Sequence, residues 1–110
     1  MINDSNKNAL RARKYKRLIE MYLNQSISAN KFRRAYFDIY KNDPGRMEAQ
    51  LFNILENLFF YADAYWHDVT PETETELEIS EETLRREAAS ALEKIDQYIL
   101  DKEREAGNNQ

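Results

Sequence analysis

Apolar and polar residues alternate along this chain in a way that predicts four amphipathic helices. In each of them the apolar positions recur every three or four residues, as one face of a helix requires. The predicted helices cover residues 9–25, 28–42, 44–66 and 81–105. The third is apolar over much of its circumference, so we expect it to be the central and most buried element.

Polar residues mark where three of these helices begin. Ser28 and Ser80 are good N-caps for the second and fourth helices. Asp43 followed by Pro44 predicts the start of the third helix, because proline is well tolerated at the first helical position. Residues 67–79 lose the helical period and contain a proline, so they predict a loop or extended arm.

Four helices with short connections pack most simply as an antiparallel bundle. The predicted fold class is therefore all-α, a single-domain antiparallel four-helix bundle. A length of 110 residues suits one domain. We expect the helical domain to span residues 9–105, between a flexible N-terminus at 1–8 and a flexible tail at 106–110.

Composition excludes several classes of protein. The chain has no cysteine, so disulfides and thiolate metal sites are unavailable. Its apolar runs are far shorter than the ~20 residues of a membrane span, and the N-terminus lacks an apolar signal core. We therefore expect a cytoplasmic protein without a membrane partner.

Charge is distributed unevenly along the chain. Residues 1–41 contain ten Lys and Arg against three Asp and Glu, whereas residues 42–110 contain six against seventeen. Eight carboxylates and no Lys or Arg occur between Asp63 and Leu84. Positive charge is therefore concentrated in the first part of the sequence and negative charge in the rest, with a dense acidic stretch between Asp63 and Leu84.

No catalytic or metal-binding pattern accompanies these charges. His67 lies near Asp63 and Asp68, but a di-metal bundle needs a second histidine, and the chain has only one. The serines occupy polar or capping positions away from His67, and glycine-rich phosphate loops are absent. We expect no enzyme activity, no metal and no cofactor.

The acidic stretch has two interpretations. It is either a solvated loop that keeps the protein in solution or a binding surface for a basic partner. Tyr65 and Trp66 lie within it, and aromatic residues of this kind commonly anchor protein interfaces. They favour the second interpretation.

The basic segment at residues 11–17 supports a different hypothesis. It places five cations and Tyr15 on the first predicted helix, a pattern that attracts a phosphate backbone. The alternative function is therefore a nucleic-acid- or ribosome-associated helical protein. No recognised reading motif accompanies the segment. The competing interpretation is that these cations pair with the acidic half of the bundle or form a solvated face. A third possibility is an oligomerising bundle that uses the wide apolar stripe of the third helix.

The order of these features resembles the colicin D immunity protein family, including the immunity proteins of contact-dependent growth inhibition systems. The resemblance covers residues 14–99. It is carried by hydrophobic spacings and an acidic loop, at Leu18-Ile19 with Leu23, at residues 27–32 leading to Tyr36 and Tyr40, at residues 55–59 with 63–65, at residues 79–85 and at residues 91–95.

The resemblance implies a compact helical antidote that binds the nuclease domain of a cognate toxin and blocks its active site. For tRNA-cleaving toxins, the acidic surface of such an antidote stands where the RNA phosphates would lie. We expect a monomer that forms a 1:1 complex, with no nucleic-acid partner. The expected toxin-binding residues are Asp63, Tyr65, Trp66, Asp68, Glu72, Glu74, Glu76, Glu78, Glu81 and Glu82.

Overall fold

The computed structural model describes residues 4–43 and 45–108 and contains four α-helices. They are α1 (Asp4–Leu23), α2 (Ala29–Lys41), α3 (Ala49–Ala64) and α4 (Glu81–Asn108). A 3-10 turn covers Pro71–Thr73, and the described residues contain no strand. The all-α class predicted from the sequence is confirmed.

Contacts between the helices fix their directions. Tyr22 near the end of α1 contacts Glu81 at the start of α4, whereas Arg13 earlier in α1 contacts Glu103 late in α4. Pairings between α1 and α2, α2 and α3, and α3 and α4 also run in opposite directions. The helices therefore form an antiparallel bundle, and the end of α3 and the start of α4 lie at the same end of it.

Aromatic rings fill much of the core. Tyr22 stacks on Phe32 with ring centroids 4.6 Å apart, and Tyr15 meets Tyr36 edge-on at 5.5 Å. The buried Tyr36 hydroxyl donates a hydrogen bond to the Leu55 carbonyl at 2.6 Å. Each ring thus buries its apolar body, and the Tyr36 hydroxyl, which would be costly to leave unpaired, has a partner.

The third helix is not the most buried element, contrary to the prediction. Phe52 and Phe60 on α3 are exposed, and the most extensive helix pair is α1 with α4. Both long helices bury one stripe against the rest of the bundle. The apolar residues spread around α3 therefore include phenylalanines on the surface as well as residues of the core.

The predicted start of the third helix is also wrong. The helix begins at Ala49 with Glu48 as its N-cap residue, and Pro44 lies outside the described residues. Asp43 does not cap it, because its carboxylate accepts hydrogen bonds from Arg11 Nε at 2.7 Å and the Tyr15 hydroxyl at 3.0 Å. A contact distant in sequence has replaced the local cap.

The ends of the long helices also differ from the prediction. α1 begins at Asp4 instead of Ala9, and Asn8 is already buried, with its side-chain oxygen accepting from Arg11 at 2.9 Å. α4 continues to Asn108, beyond the predicted boundary at residue 105. The division into one helical domain with flexible ends stays a prediction.

Candidate functional site

The acidic stretch connects α3 to α4 and is held against the bundle by its two ends. We call residues 63–82 the acidic segment. A parallel bridge joins Tyr65 to Ile79, with the Trp66 N–H donating to the Ile79 carbonyl at 3.2 Å and the Ile79 N–H to the Ala64 carbonyl at 2.9 Å. The two ends of the acidic segment are therefore joined to each other by backbone hydrogen bonds. We call this bridge the neck of the loop.

Threonines fold the part of the acidic segment beyond this neck. Thr70 and Thr73 form a reciprocal capping box around the 3-10 turn. The Thr75 N–H donates to the Glu78 carbonyl at 3.0 Å, and the Thr75 hydroxyl oxygen accepts from the Leu77 N–H at 3.2 Å. These are the turn-forming bonds that threonine side chains favour, and they give the loop a defined shape.

Glu74 turns inward and fixes the loop to α4. Its carboxylate accepts from the Ser80 N–H at 2.9 Å and from the hydroxyls of Ser80 and Thr83. Hydrogen bonds from the Ser80 and Thr83 side chains, and then from the Ser80 backbone, lower the pKa of Glu74 to about 2. Glu74 is therefore a structural residue of the loop and is not placed as an outward charge partner.

The predicted cap of α4 is confirmed. The Ser80 hydroxyl oxygen accepts from the Thr83 N–H at 3.3 Å, three residues into the helix. The same hydroxyl donates to Glu74, so one serine serves both the helix start and the loop.

The remaining carboxylates of the acidic segment form an exposed group. Within the described part of the chain, no Lys or Arg lies within 4.0 Å of the exposed carboxylates Asp63, Asp68, Glu72, Glu76, Glu78 and Glu82. His67 Nε2 is 3.3 Å from the Asp68 carboxylate, a contact that becomes an ion pair only when the histidine is protonated.

Glu81 differs from that group because it is partly engaged. It accepts from the Tyr22 hydroxyl at 3.2 Å and lies 3.8 Å from the Arg85 guanidinium. Arg85 in turn donates to the last carbonyls of α1, at Tyr22 and Leu23. Glu81 therefore helps to hold α1 against α4, and its carboxylate is only partly available to a partner.

The two predicted aromatic anchors have different positions. Tyr65 is only 7% exposed and belongs to the core, because its bridge to Ile79 turns it toward the bundle. Trp66 is 50% exposed, with its ring centroid 4.7 Å from that of His67. Of the pair, Trp66 alone offers a ring to a partner in this conformation.

Two exposed apolar residues near this end were not identified from the sequence. Leu77 is 83% exposed at the turn of the acidic segment, and Phe60 is exposed on the last turns of α3. Leu77 is the single apolar residue between Val69 and Ile79, flanked by glutamates. That isolation was the available signal, but a lone leucine in a polar loop is common.

The basic residues of α1 are largely engaged within the chain. Arg11 pairs with Asp43 at 2.7 Å, and Lys16 with Asp96 at 2.6 Å. The Asp96 hydrogen bond is also the main cause that raises the pKa of Lys16. Arg13 pairs with Glu103, so three of the five cations contact acids outside the acidic segment. None of these three cations pairs with a carboxylate of the acidic segment.

Metal binding and membrane insertion gain no support from the geometry. The described residues contain no group of three or more His, Cys, Asp or Glu placed to hold a metal ion. Nor does any helix among them combine the length and apolar character needed to cross a bilayer.

Comparison with known protein families adds independent information. Residues 11–95 match the family described as bacterial self-protective colicin-like immunity, and this range includes the acidic segment and most of all four helices. No curated protein and no solved structure matched the chain. Because the match covers most of the sequence, the chain belongs to the colicin-like immunity family, which supports a role as a bacteriocin immunity protein.

Proposed function

We propose that this protein neutralises a cognate nuclease toxin by binding its active site through the acidic segment. The toxin belongs to a bacteriocin or a contact-dependent inhibition system and cleaves RNA, with tRNA as the expected substrate. The protein acts in the cytoplasm, as a monomer that forms a 1:1 complex. The resemblance to colicin D immunity proteins and the membership of the colicin-like immunity family support this proposal.

The observation that carries the proposal is the set of exposed carboxylates without cationic partners on a hydrogen-bonded loop. Like charges on one loop repel each other, and no Lys or Arg of the described residues lies within 4.0 Å of these carboxylates to pair with them. A basic partner would provide that compensation. The loop is shaped before binding, so less ordering entropy is lost on association.

A nuclease is the basic partner that such a surface fits. An enzyme that cleaves RNA needs Lys or Arg to hold phosphate, and carboxylates can occupy the same cations without offering a cleavable bond. Opposite charges also accelerate encounter, up to about 10⁸–10⁹ M⁻¹s⁻¹ at low salt. Rapid capture suits an inhibitor that must act before the toxin cleaves many RNA molecules.

The test is a charge-reversal variant with a matched control. Glu72, Glu76 and Glu78 are each changed to Lys, and Glu74 is left intact because it holds the start of α4. The control variant carries D38K, E93K and D101K, which change the net charge equally on helix surfaces outside the acidic segment. Circular dichroism establishes that both variants keep their helices.

The variants are compared by protection of cells that express the cognate toxin. We expect the E72K/E76K/E78K variant to lose protection and the D38K/E93K/D101K variant to keep it. In the purified system, the first variant also loses inhibition of RNA cleavage. Full protection by the loop variant would refute binding through the acidic segment.

A further inference from the structure

Leu77 occupies an unusual position, an apolar side chain held out at the turn of a charged loop. It is 83% exposed, the highest value among the large apolar residues of the described chain. Glu76 and Glu78 on either side of it are exposed as well. A single exposed leucine is common and is not by itself evidence of a binding site. The evidence at Leu77 is the turn that holds it in this position.

The turn that presents Leu77 is defined by hydrogen bonds. The Thr75 hydroxyl oxygen accepts from the N–H groups of Leu77 and Glu78, at 3.2 and 3.1 Å. The Thr75 N–H donates to the Glu78 carbonyl, which closes the turn. These bonds fix the backbone at Leu77, while its side chain stays outside the core of the bundle.

A second exposed apolar side chain lies near the same turn. The Trp66 N–H donates to the carbonyl of Ile79, which is two residues after Leu77. Two residues span at most about 7 Å of chain, so the backbones of the exposed residues Trp66 and Leu77 lie close together. Exposed carboxylates are their neighbours in the sequence, Glu76 and Glu78 on either side of Leu77 and Asp68 two residues after Trp66. Apolar side chains are therefore exposed here among negatively charged ones. This arrangement resembles the apolar centre and polar rim of a protein interface.

The charge around Leu77 decides what can cover it. A second copy bound symmetrically would place Glu76 and Glu78 near the same residues of its partner, where like charges repel. An anionic membrane surface would repel them also. A basic protein surface is attracted instead, so charge complementarity favours the toxin as the occupant.

We propose that Leu77 is an apolar anchor that enters a depression on the toxin bordered by Lys or Arg, with Glu76 and Glu78 pairing to those cations. This inference rests on the proposed function and adds a contact of a different kind. The glutamates steer and orient the partner, whereas Leu77 slows its release. The two contributions differ in salt dependence, because screening weakens charge contacts and leaves apolar burial intact.

The experiment uses the whole chain and a catalytically inactive nuclease domain of the cognate toxin. Association and dissociation rates are measured for L77S, for the conservative L77M and for L100S, a control at another exposed leucine on α4. Each is measured at about 0.15 M and 0.5 M salt, a range over which exposed charges are progressively screened.

We expect L77S to dissociate at least tenfold faster at both salt concentrations with little change in association rate. L77M should stay within about threefold of the wild type, and L100S should match it. Wild-type kinetics for L77S, with weakened binding of E72K/E76K/E78K, would overturn the anchor and leave the proposed function standing. Absence of binding by the wild-type protein would overturn both.

Discussion

The Glu74 carboxylate accepts hydrogen bonds from both the backbone N–H and the hydroxyl of Ser80, the residue that caps α4. The loop is thereby fastened to the helix that follows it. Glu74, one of several carboxylates in this loop, therefore stabilises the loop through its hydrogen bonds. The acidic segment consequently contains two carboxylates with structural roles, Glu74 and Glu81, among several that remain available to a partner.

Replacement of Glu74 should loosen the acidic segment without unfolding the bundle. In E74A, the Ser80 N–H and the Thr83 hydroxyl lose their acceptor, so the neck of the loop opens more often. We expect amide exchange at Ile79 and Ser80 to accelerate at least tenfold, since exchange reports local opening. E72A, which removes an exposed carboxylate, should leave both amides unchanged; similar acceleration in E72A would contradict the assigned role of Glu74.

The same carboxylate should make the loop sensitive to strong acid. Its pKa is lowered from 4.5 to about 2, so its contribution to stability is present above pH 4.5 and disappears as the pH falls through about 2. Titration of the Ser80 amide by NMR should show a transition with a midpoint near pH 2. The E74Q variant should lack it. A midpoint at or above 4.5 in the wild-type protein would contradict the hydrogen-bonded arrangement.

Local signals in the sequence predicted the helices and two of their caps correctly. Ser28 accepts from the Lys31 N–H at 3.2 Å, and Ser80 accepts from the Thr83 N–H. Capping depends on residues within one turn, so such contacts can be recognised from sequence. Asp43 has the same local signature, yet Arg11 and Tyr15, about thirty residues earlier, take its carboxylate. No local pattern reveals such a contact.

The binding surface was predictable in outline only. The grouping of carboxylates along the chain followed from the sequence, because all of them lie between the last turn of α3 and the first turn of α4. The directions of individual side chains did not, since they depend on the bridge that buries Tyr65 and on the donors that turn Glu74 inward. Leu77 was missed because its significance lies in the turn that exposes it.

The ion pair between Arg11 and Asp43 should contribute much more to stability than the pair between Arg13 and Glu103. The side chains of the first pair are 14% and 11% exposed, whereas those of the second are about half exposed. Removing one partner of a mostly buried ion pair costs more stability than removing one partner of an exposed pair. We expect D43N to lower the free energy of unfolding by about 3 kcal/mol.

E103Q is the matched control for that measurement. Exposed pairs contribute less than about 1 kcal/mol, so its urea denaturation curve should nearly coincide with that of the wild type. Equal losses in D43N and E103Q would show that the contact of Asp43 with α1 stabilises the fold no more than an exposed ion pair does.

The buried hydroxyl of Tyr36 supplies another stability test. It donates to the Leu55 carbonyl at 2.6 Å and joins α2 to α3. We expect Y36F to reduce the free energy of unfolding by about 1 kcal/mol, the usual net value of such a bond. Y61F is the control, because Tyr61 is only partly buried and its hydroxyl has no hydrogen bond within the described residues. A loss in Y61F as large as in Y36F would contradict this assignment.

The most direct test of the binding surface is amide hydrogen exchange of this protein, alone and with the catalytically inactive nuclease domain of its cognate toxin. Unmodified protein is used, so the result does not depend on how a variant folds. We predict that protection increases between residues 66 and 82 and stays unchanged in the middle of α1 and in the last turns of α4. Protection centred on residues 11–17, with the acidic segment unaffected, would contradict the account.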